Sequence, residues 1–192
     1  MMQIDIDAED VRRLADALGD YPQRARQQVA TAIGRTSRKA VSLVAKDITQ
    51  YLAVTQKVVK ESIGKPGRVS KDNLNAHVTV RYGRRLSLKR FSPRQKKTGV
   101  SYRVSKKKGK ETVLGAFMGP NSKTIAPRLG GHVFKRLGKA RKPIAKLHGA
   151  SPWGVIVANR RKGPLEQAIR RELKAQVDKS VRDLEFKKQG SN

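Results

Sequence analysis

The sequence predicts an α+β fold: a small antiparallel β-sheet packed by a long helix in the N-terminal half and a long amphipathic helix near the C-terminus, with long basic loops. Three observations predict it. Apolar residues recur at helical spacing before residue 64 and again after residue 164. Between them the period falls to two. Residues 119–154 hold six of the 16 glycines and four of the eight prolines, which is loop chemistry. A length of 192 residues suits a single domain, helical over 8–64, with basic sheet and loops over 72–162 and a closing helix over 164–186.

Each element follows from its pattern. Val11, Leu14, Ala15 and Leu18 share a helical face, and Gly19 ends it. Pro22 stands where a new helix can start. Val29, Ala32, Ile33, Ala40, Val44, Ile48 and Leu52 keep one face of that helix apolar, with Gly34 a weak point inside it. Thr55 is a plausible N-cap for a short third helix that turns Val58, Val59 and Ile63 inward, and Lys65-Pro66-Gly67 closes it. Leu74, Ala76, Val78 and Val80 alternate with polar residues, as a strand with one buried face does. Leu86 and Leu88 continue the alternation. Residues 84–97 read as a mobile basic connection. Val100, Tyr102 and Val104 alternate again, residues 106–110 form a hairpin tip, and Thr112–Leu114 return. Residues 119–154 read as long loops, mobile in the free protein and ordering against neighbours. After Gly163-Pro164, a stripe of Leu165, Ile169, Leu173, Val177, Val181 and Leu184 marks the closing helix, with a polar frayed tail from Lys187.

Composition excludes several classes. There are no cysteines, hence no disulfide framework, thiolate nucleophile or cysteine-based zinc site. No run of 18 apolar residues predicts a membrane span, and the acidic N-terminal stretch lacks the apolar core of a secretory signal. The expectation is a chain made in a cytoplasm, with no membrane partner. The 44 Lys and Arg against 15 Asp and Glu give a net charge of +29. That excess repels itself, and more strongly in an assembly of copies, so a polyanion or an acidic protein is the expected partner.

Catalytic chemistry finds little support. His77, His132 and His148 share no metal-ligand spacing, so no metal is expected. Between Asp72 and Glu166 the only acid is Glu111, which leaves neither a carboxylate pair nor the acidic cluster a Mg²⁺-dependent nuclease needs. Ser151 lies in Gly149-Ala150-Ser151-Pro152, which departs from G-x-S-x-G. Gly138-Lys139 lacks both the upstream glycine and the following hydroxyl of a phosphate loop. No catalytic residue and no cofactor are expected.

Four basic clusters remain. They are Arg84, Arg85, Lys89 and Arg90; Arg94, Lys96 and Lys97; Lys106, Lys107, Lys108 and Lys110; and Lys135, Arg136, Lys139, Arg141 and Lys142. One such cluster is an ordinary solvated turn. Four of them, with Glu111 alone among the acids from residue 84 to 146, point to a surface for phosphates or an acidic partner. The few aromatics nearby, Tyr82, Phe91, Tyr102 and Phe134, limit base stacking. No helix-turn-helix, zinc finger or RNA-recognition signature is present, so contact is expected with backbone rather than base edges.

Several stretches follow one another in order: Ala32-Ile33-Gly34-Arg35-Thr36-Ser37-Arg38-Lys39-Ala40, residues 58–63, the strand residues 76–80 and 86–91, residues 99–104, Ala116-Phe117-Met118, residues 132–136, and Arg141-Lys142-Pro143-Ile144-Ala145-Lys146-Leu147-His148-Gly149-Ala150-Ser151. Their order resembles the minor tail protein Z family of long-tailed bacteriophages, the tail completion proteins. The resemblance covers roughly residues 25–155. It implies a virion protein acting late in tail assembly, at the head-proximal end near the tail terminator, after assembly in the host cytoplasm. It further implies head–tail joining, positioning of the DNA end, a homo-oligomeric ring around the DNA channel, and contacts with the tail terminator, tail tube and head–tail connector. It assigns no individual functional residues.

Overall fold

A computed structural model describes residues 2–6, 22–71, 74, 76–120 and 129–189. It is α+β, with four α-helices, a two-stranded ladder and two three-stranded antiparallel sheets among the described residues. Both long helices of the sequence reading are present. The chain divides into two compact units, each built from several segments: residues 1–45, 63–81 and 160–192 in the first, and residues 46–62 and 82–159 in the second. The expected helix over residues 11–18 lies outside the described residues.

The first unit is the helical scaffold. Helix α1 (Pro22–Tyr51) begins at the proline that sets its first dihedral, and its first 24 residues belong here. Val29, Ala32, Ile33, Ala40 and Val44 are buried as their spacing predicts. Gly34 is accommodated inside the helix, and its carbonyl accepts from Ser37 Oγ at 3.1 Å and from Arg38 Nε at 3.0 Å. Strand β1 (Met2–Ile6) pairs antiparallel with β2 (Ala76–Val80), Ile4 opposite Val78. In β2, Ala76, Val78 and Val80 are buried while His77 is exposed, the alternation read from sequence. Residues 63–67 run along the other edge of β2: Ile63 bridges Val80, and the Gly64 amide donates to the Thr79 carbonyl at 2.9 Å.

The closing helix also belongs to this unit. It is numbered α4 (Lys162–Gln189), starts two residues earlier than expected and runs past the expected end at 186, so the sequence reading of a frayed tail from Lys187 is corrected to helix through Gln189. Leu165, Ile169, Leu173 and Val177 are its buried stripe. Burial of each such side chain contributes about 1.5–3 kcal/mol, which outweighs a surface ion pair. That pair, Lys39 Nζ to Glu172 Oε2 at 2.7 Å, ties α4 to α1.

The second unit holds the last turn of α1, helix α2 (Gln56–Ser62), strands β3–β8 and helix α3 (Pro152–Ala158). Strands β3 (Arg94–Lys96), β4 (Gly99–Tyr102) and β5 (Glu111–Leu114) form one sheet in that order. Strands β6 (Ala116–Met118), β7 (Val133–Arg136) and β8 (Ile144–Lys146) form the other. The Met118 amide donates to Gln95 Oε1 at 2.9 Å and joins the two sheets. Ile48, Leu52, Val59, Leu86, Leu88, Phe91, Val100, Val133, Val155 and Ile156 are the buried core.

Two expectations are corrected here. Residues 84–97 are not a mobile connection. Residues 86–88 pair with 147–150, through Leu86 N to Ala150 O at 3.2 Å and Gly149 N to Leu86 O at 2.8 Å. A 3₁₀ turn (Leu88–Phe91) then buries Leu88 and Phe91 at its two ends, and β3 follows. The three-residue repeat of that turn sets both apolar residues on one side. Likewise residues 119–154 are not loop throughout, since β7, β8 and α3 lie within them. Ser151 caps α3 by accepting from the Gly154 amide at 3.0 Å, with Pro152 in the first turn. Gly149 is required where it stands, because a Cβ there would lie 2.6 Å from Phe91 Cε2.

Candidate nucleic-acid interface

All sixteen candidate cations lie in the second unit, and all are exposed. That unit carries 23 Lys and Arg against Asp47, Glu61 and Glu111, a net of +20; the first unit carries 21 against 12. The excess is therefore a property of one unit rather than of the chain at large.

Each cluster has its own support. Arg84 and Arg85 follow the Tyr82-Gly83 turn, where the Arg85 amide donates to the Gly83 carbonyl at 2.9 Å. Lys89 and Arg90 occupy the outer side of the 3₁₀ turn. Arg94 and Lys96 lie on β3, an edge strand of its sheet, and Lys97 is in the two-residue turn closed by Lys96 opposite Gly99. Charged side chains on an edge also block pairing with other chains. Lys135 and Arg136 are the exposed end of β7, and Lys139, Arg141 and Lys142 lie in the loop closed by Arg136 opposite Ile144.

The lysine-rich turn between β4 and β5 is held more firmly than a bare hairpin tip. Tyr102 opposite Glu111 is its last ladder pair. The Tyr102 hydroxyl donates to Glu111 Oε2 at 2.9 Å, and burial followed by that carboxylate's bond and charge pushes the phenol pKa up, so it stays protonated. The turn then lies against the end of α1. The Ala53 amide donates to the Val104 carbonyl at 2.8 Å, and the Lys106 amide to the Tyr51 carbonyl at 2.8 Å. Lys107 Nζ sits 5.6 Å from the centre of the Tyr51 ring. The last turn of α1 has no basic residue of its own, and this loop brings cations to its negative end. Arg103 locks the turn by donating to the carbonyls of Ser105 and Lys106. Arg103 was absent from the sequence clusters, and only the fold gives it this role.

Not every candidate is equally available to a partner. Arg90 donates to Glu61 Oε2 at 3.0 Å, and Lys89 Nζ donates to the Gly130 carbonyl. Arg136 lies 5.5 Å above the Phe117 ring, which stacks on Phe134 across the β6–β7 pair. Phe91 and Phe134 are buried and cannot stack on bases. Tyr82, 75% exposed and edge-on to Trp153, can.

Lys89 and Arg90 take part in a grouping that spacing did not reveal. Ser87 Oγ and His132 Nδ1 are 2.9 Å apart, and Lys146 Nζ is 3.2 Å from His132 Nε2. Ser87 bridges His148. An ammonium only donates, so Nε2 accepts, the ring proton is on Nδ1, and His132 donates to Ser87. Burial pushes the His132 pKa down, and the charges of Lys146, Lys89, His148 and Arg90 push it further. The serine is thus an acceptor from a neutral imidazole, the reverse of an activated nucleophile. Among the described residues, no three His, Asp or Glu stand together as metal ligands, and no helix is long and apolar enough to cross a membrane.

Comparison with protein-family models, with curated proteins and with solved structures finds no match.

Proposed function

We propose that this chain is a structural protein of a phage virion, a tail completion component at the head-proximal end of the tail. There it assists head–tail joining and positions the DNA end by holding the phosphate backbone on its basic unit. The observation that carries this reading is the concentration of a +20 charge, with sixteen exposed candidate cations, in one of two units. The order of stretches shared with the tail protein Z family over residues 25–155 supplies the virion context. The protein works without catalysis or cofactor: Glu111 is engaged by Tyr102 and Glu61 by Arg90, so the exposed carboxylates of the basic unit serve its own side chains.

Copies arranged as a ring would bring like charges together, so the ring forms only as DNA or acidic neighbours screen them. The tail terminator, tail tube and head–tail connector are the neighbours in this reading. Electron microscopy of tailed particles assembled with the chain tests it. Density at the head-proximal end of the tail, with residues 84–142 toward the channel, supports it, and absence from particles overturns it. Absence combined with tight, salt-sensitive DNA binding by the free protein would instead support a sequence-independent nucleic-acid binder acting outside a virion. The exposed Tyr82 ring, open to stacking on a base, favours that second reading.

A further inference from the structure

The grouping around His132 has a composition that a merely structural contact does not need. Side chains from three separate stretches converge there. Ser87, Lys89 and Arg90 come from the 3₁₀ turn and its approach, His132 immediately precedes β7, and Lys146 and His148 come from β8 and its exit. Phe134 stands edge-on to the ring at 6.5 Å and bars that side to polar groups. Arg90 is itself paired with Glu61 at 3.0 Å. The cluster thus gathers several cations around a neutral imidazole that can itself become one.

We propose that His132, Ser87 and Lys146 form a phosphate seat in which binding of a backbone phosphate of nucleic acid is coupled to uptake of one proton by His132. The inference rests on the nucleic-acid reading above and names the subsite and its regulation. In the free protein Lys146 donates to Nε2. When a phosphate arrives, its negative charge offsets the surrounding cations, and Nε2 takes a proton from solvent. Nε2 and the ammonium are then both donors and can no longer face each other. Each turns to a phosphate oxygen, while Nδ1 keeps its bond to Ser87 Oγ and the Ser87 proton is left to point outward. No covalent bond forms or breaks, and the one proton comes from the buffer. The bonds formed are charge-assisted, the stronger class.

The direction of the pH effect follows from linkage. A group whose pKa rises on binding strengthens binding as pH falls through its pKa in the complex and on to its pKa in the free protein, about tenfold for each unit of rise. The test is site-resolved NMR titration of His132 in the full chain, with no ligand, with a 30-base-pair duplex, and with inorganic phosphate. Duplex affinity is measured in parallel at pH 5.5 to 8 for the native chain and for His132→Gln and Lys146→Gln. The expected result is a rise in the His132 pKa with duplex, and an affinity gain on acidification that both variants lose. Site resolution separates His132 from His77 and His148, and the native titration stands even where a variant fails to fold. If duplex binds and the His132 pKa stays unmoved, the seat is overturned and the nucleic-acid reading stands. If duplex does not bind but inorganic phosphate raises the pKa, the nucleic-acid reading is overturned and the seat belongs to free phosphate. If duplex does not bind and inorganic phosphate leaves the pKa unmoved, both are overturned.

Discussion

Replacement of Lys106, Lys108 and Lys110 by Gln isolates the electrostatic part of the account. Lys107 is left in place because its ammonium lies over the Tyr51 ring, and its removal would also cost a cation–π contact of about 0.5–1 kcal/mol. The three chosen side chains are exposed, and the bonds that anchor the loop use the Lys106 backbone amide and carbonyl, which Gln retains. Stability should therefore change by less than about 0.5 kcal/mol. If each lysine neutralises one phosphate of a duplex, each contributes about 0.9 to the slope of log affinity against log salt. The triple variant should lose about 2.7 from that slope. The loss should be the same for unrelated DNA sequences, since backbone contacts carry no sequence information. Fluorescence anisotropy of a labelled duplex across a salt series reads the slope, and urea unfolding reads the stability. An unchanged slope with intact folding refutes the assignment of this loop. A loss confined to one DNA sequence refutes backbone contact.

Three further outcomes follow from the packing. Gly149→Ala places a Cβ 2.6 Å from the ring of Phe91, which is fully buried and cannot yield; a loss of about 1–3 kcal/mol is expected in urea unfolding, and a neutral result contradicts the contact. Thr36 Oγ1 is buried in α1 with no hydrogen-bond partner among the described residues, so Thr36→Val, of nearly equal volume, should stabilise by about 1 kcal/mol. A destabilised variant would mean that the hydroxyl is satisfied. At Glu172, burial raises the carboxyl pKa, but hydrogen bonds from Lys39 and Gln176 and the Lys39 charge outweigh it and hold it below the ordinary value. The stabilising effect is then present above the unfolded pKa and lost as pH falls through the folded one. Glu172→Gln should flatten the acid limb of a melting-temperature profile below about pH 4.5; an identical limb contradicts the pairing.

Long elements were legible because their periodicity repeats. The apolar faces of α1 and α4 each extend over several turns, so tertiary context only confirms them. β2 could be read from alternation; β4 stands where alternation placed a strand, but Gly99, Val100 and Ser101 are all buried, so its two faces are not distinguished. β3 could not, since all three of its residues are exposed and no buried face is left to alternate. The 3₁₀ turn buries its apolar residues three apart within four residues, which is too short to distinguish from a strand fragment. β1 carries a signal, apolar Met2, Ile4 and Ile6 around polar Gln3 and Asp5, but five alternating residues are too few to tell a strand from a loop by periodicity alone. The basic clusters were legible as charge. Their sorting was not: which cations are engaged by Glu61, Tyr51, Phe117 or the Gly130 carbonyl depends on chain crossings that spacing does not encode. The His132 grouping joins residues 45 and 14 positions apart, and no local pattern could have announced it.

The central claim is that DNA lies on the second unit and not on the first. Lysine acetylation of the native chain, with and without a duplex and mapped by mass spectrometry, tests it most directly. Both units expose lysines: Lys96, Lys97, Lys106, Lys108, Lys110, Lys135, Lys139 and Lys142 in the second, Lys174 and Lys179 in the first. The account predicts protection of the second unit's lysines and unchanged labelling of Lys174 and Lys179. Protection of Lys174 and Lys179 with full labelling at Lys106, Lys108 and Lys110 would contradict it.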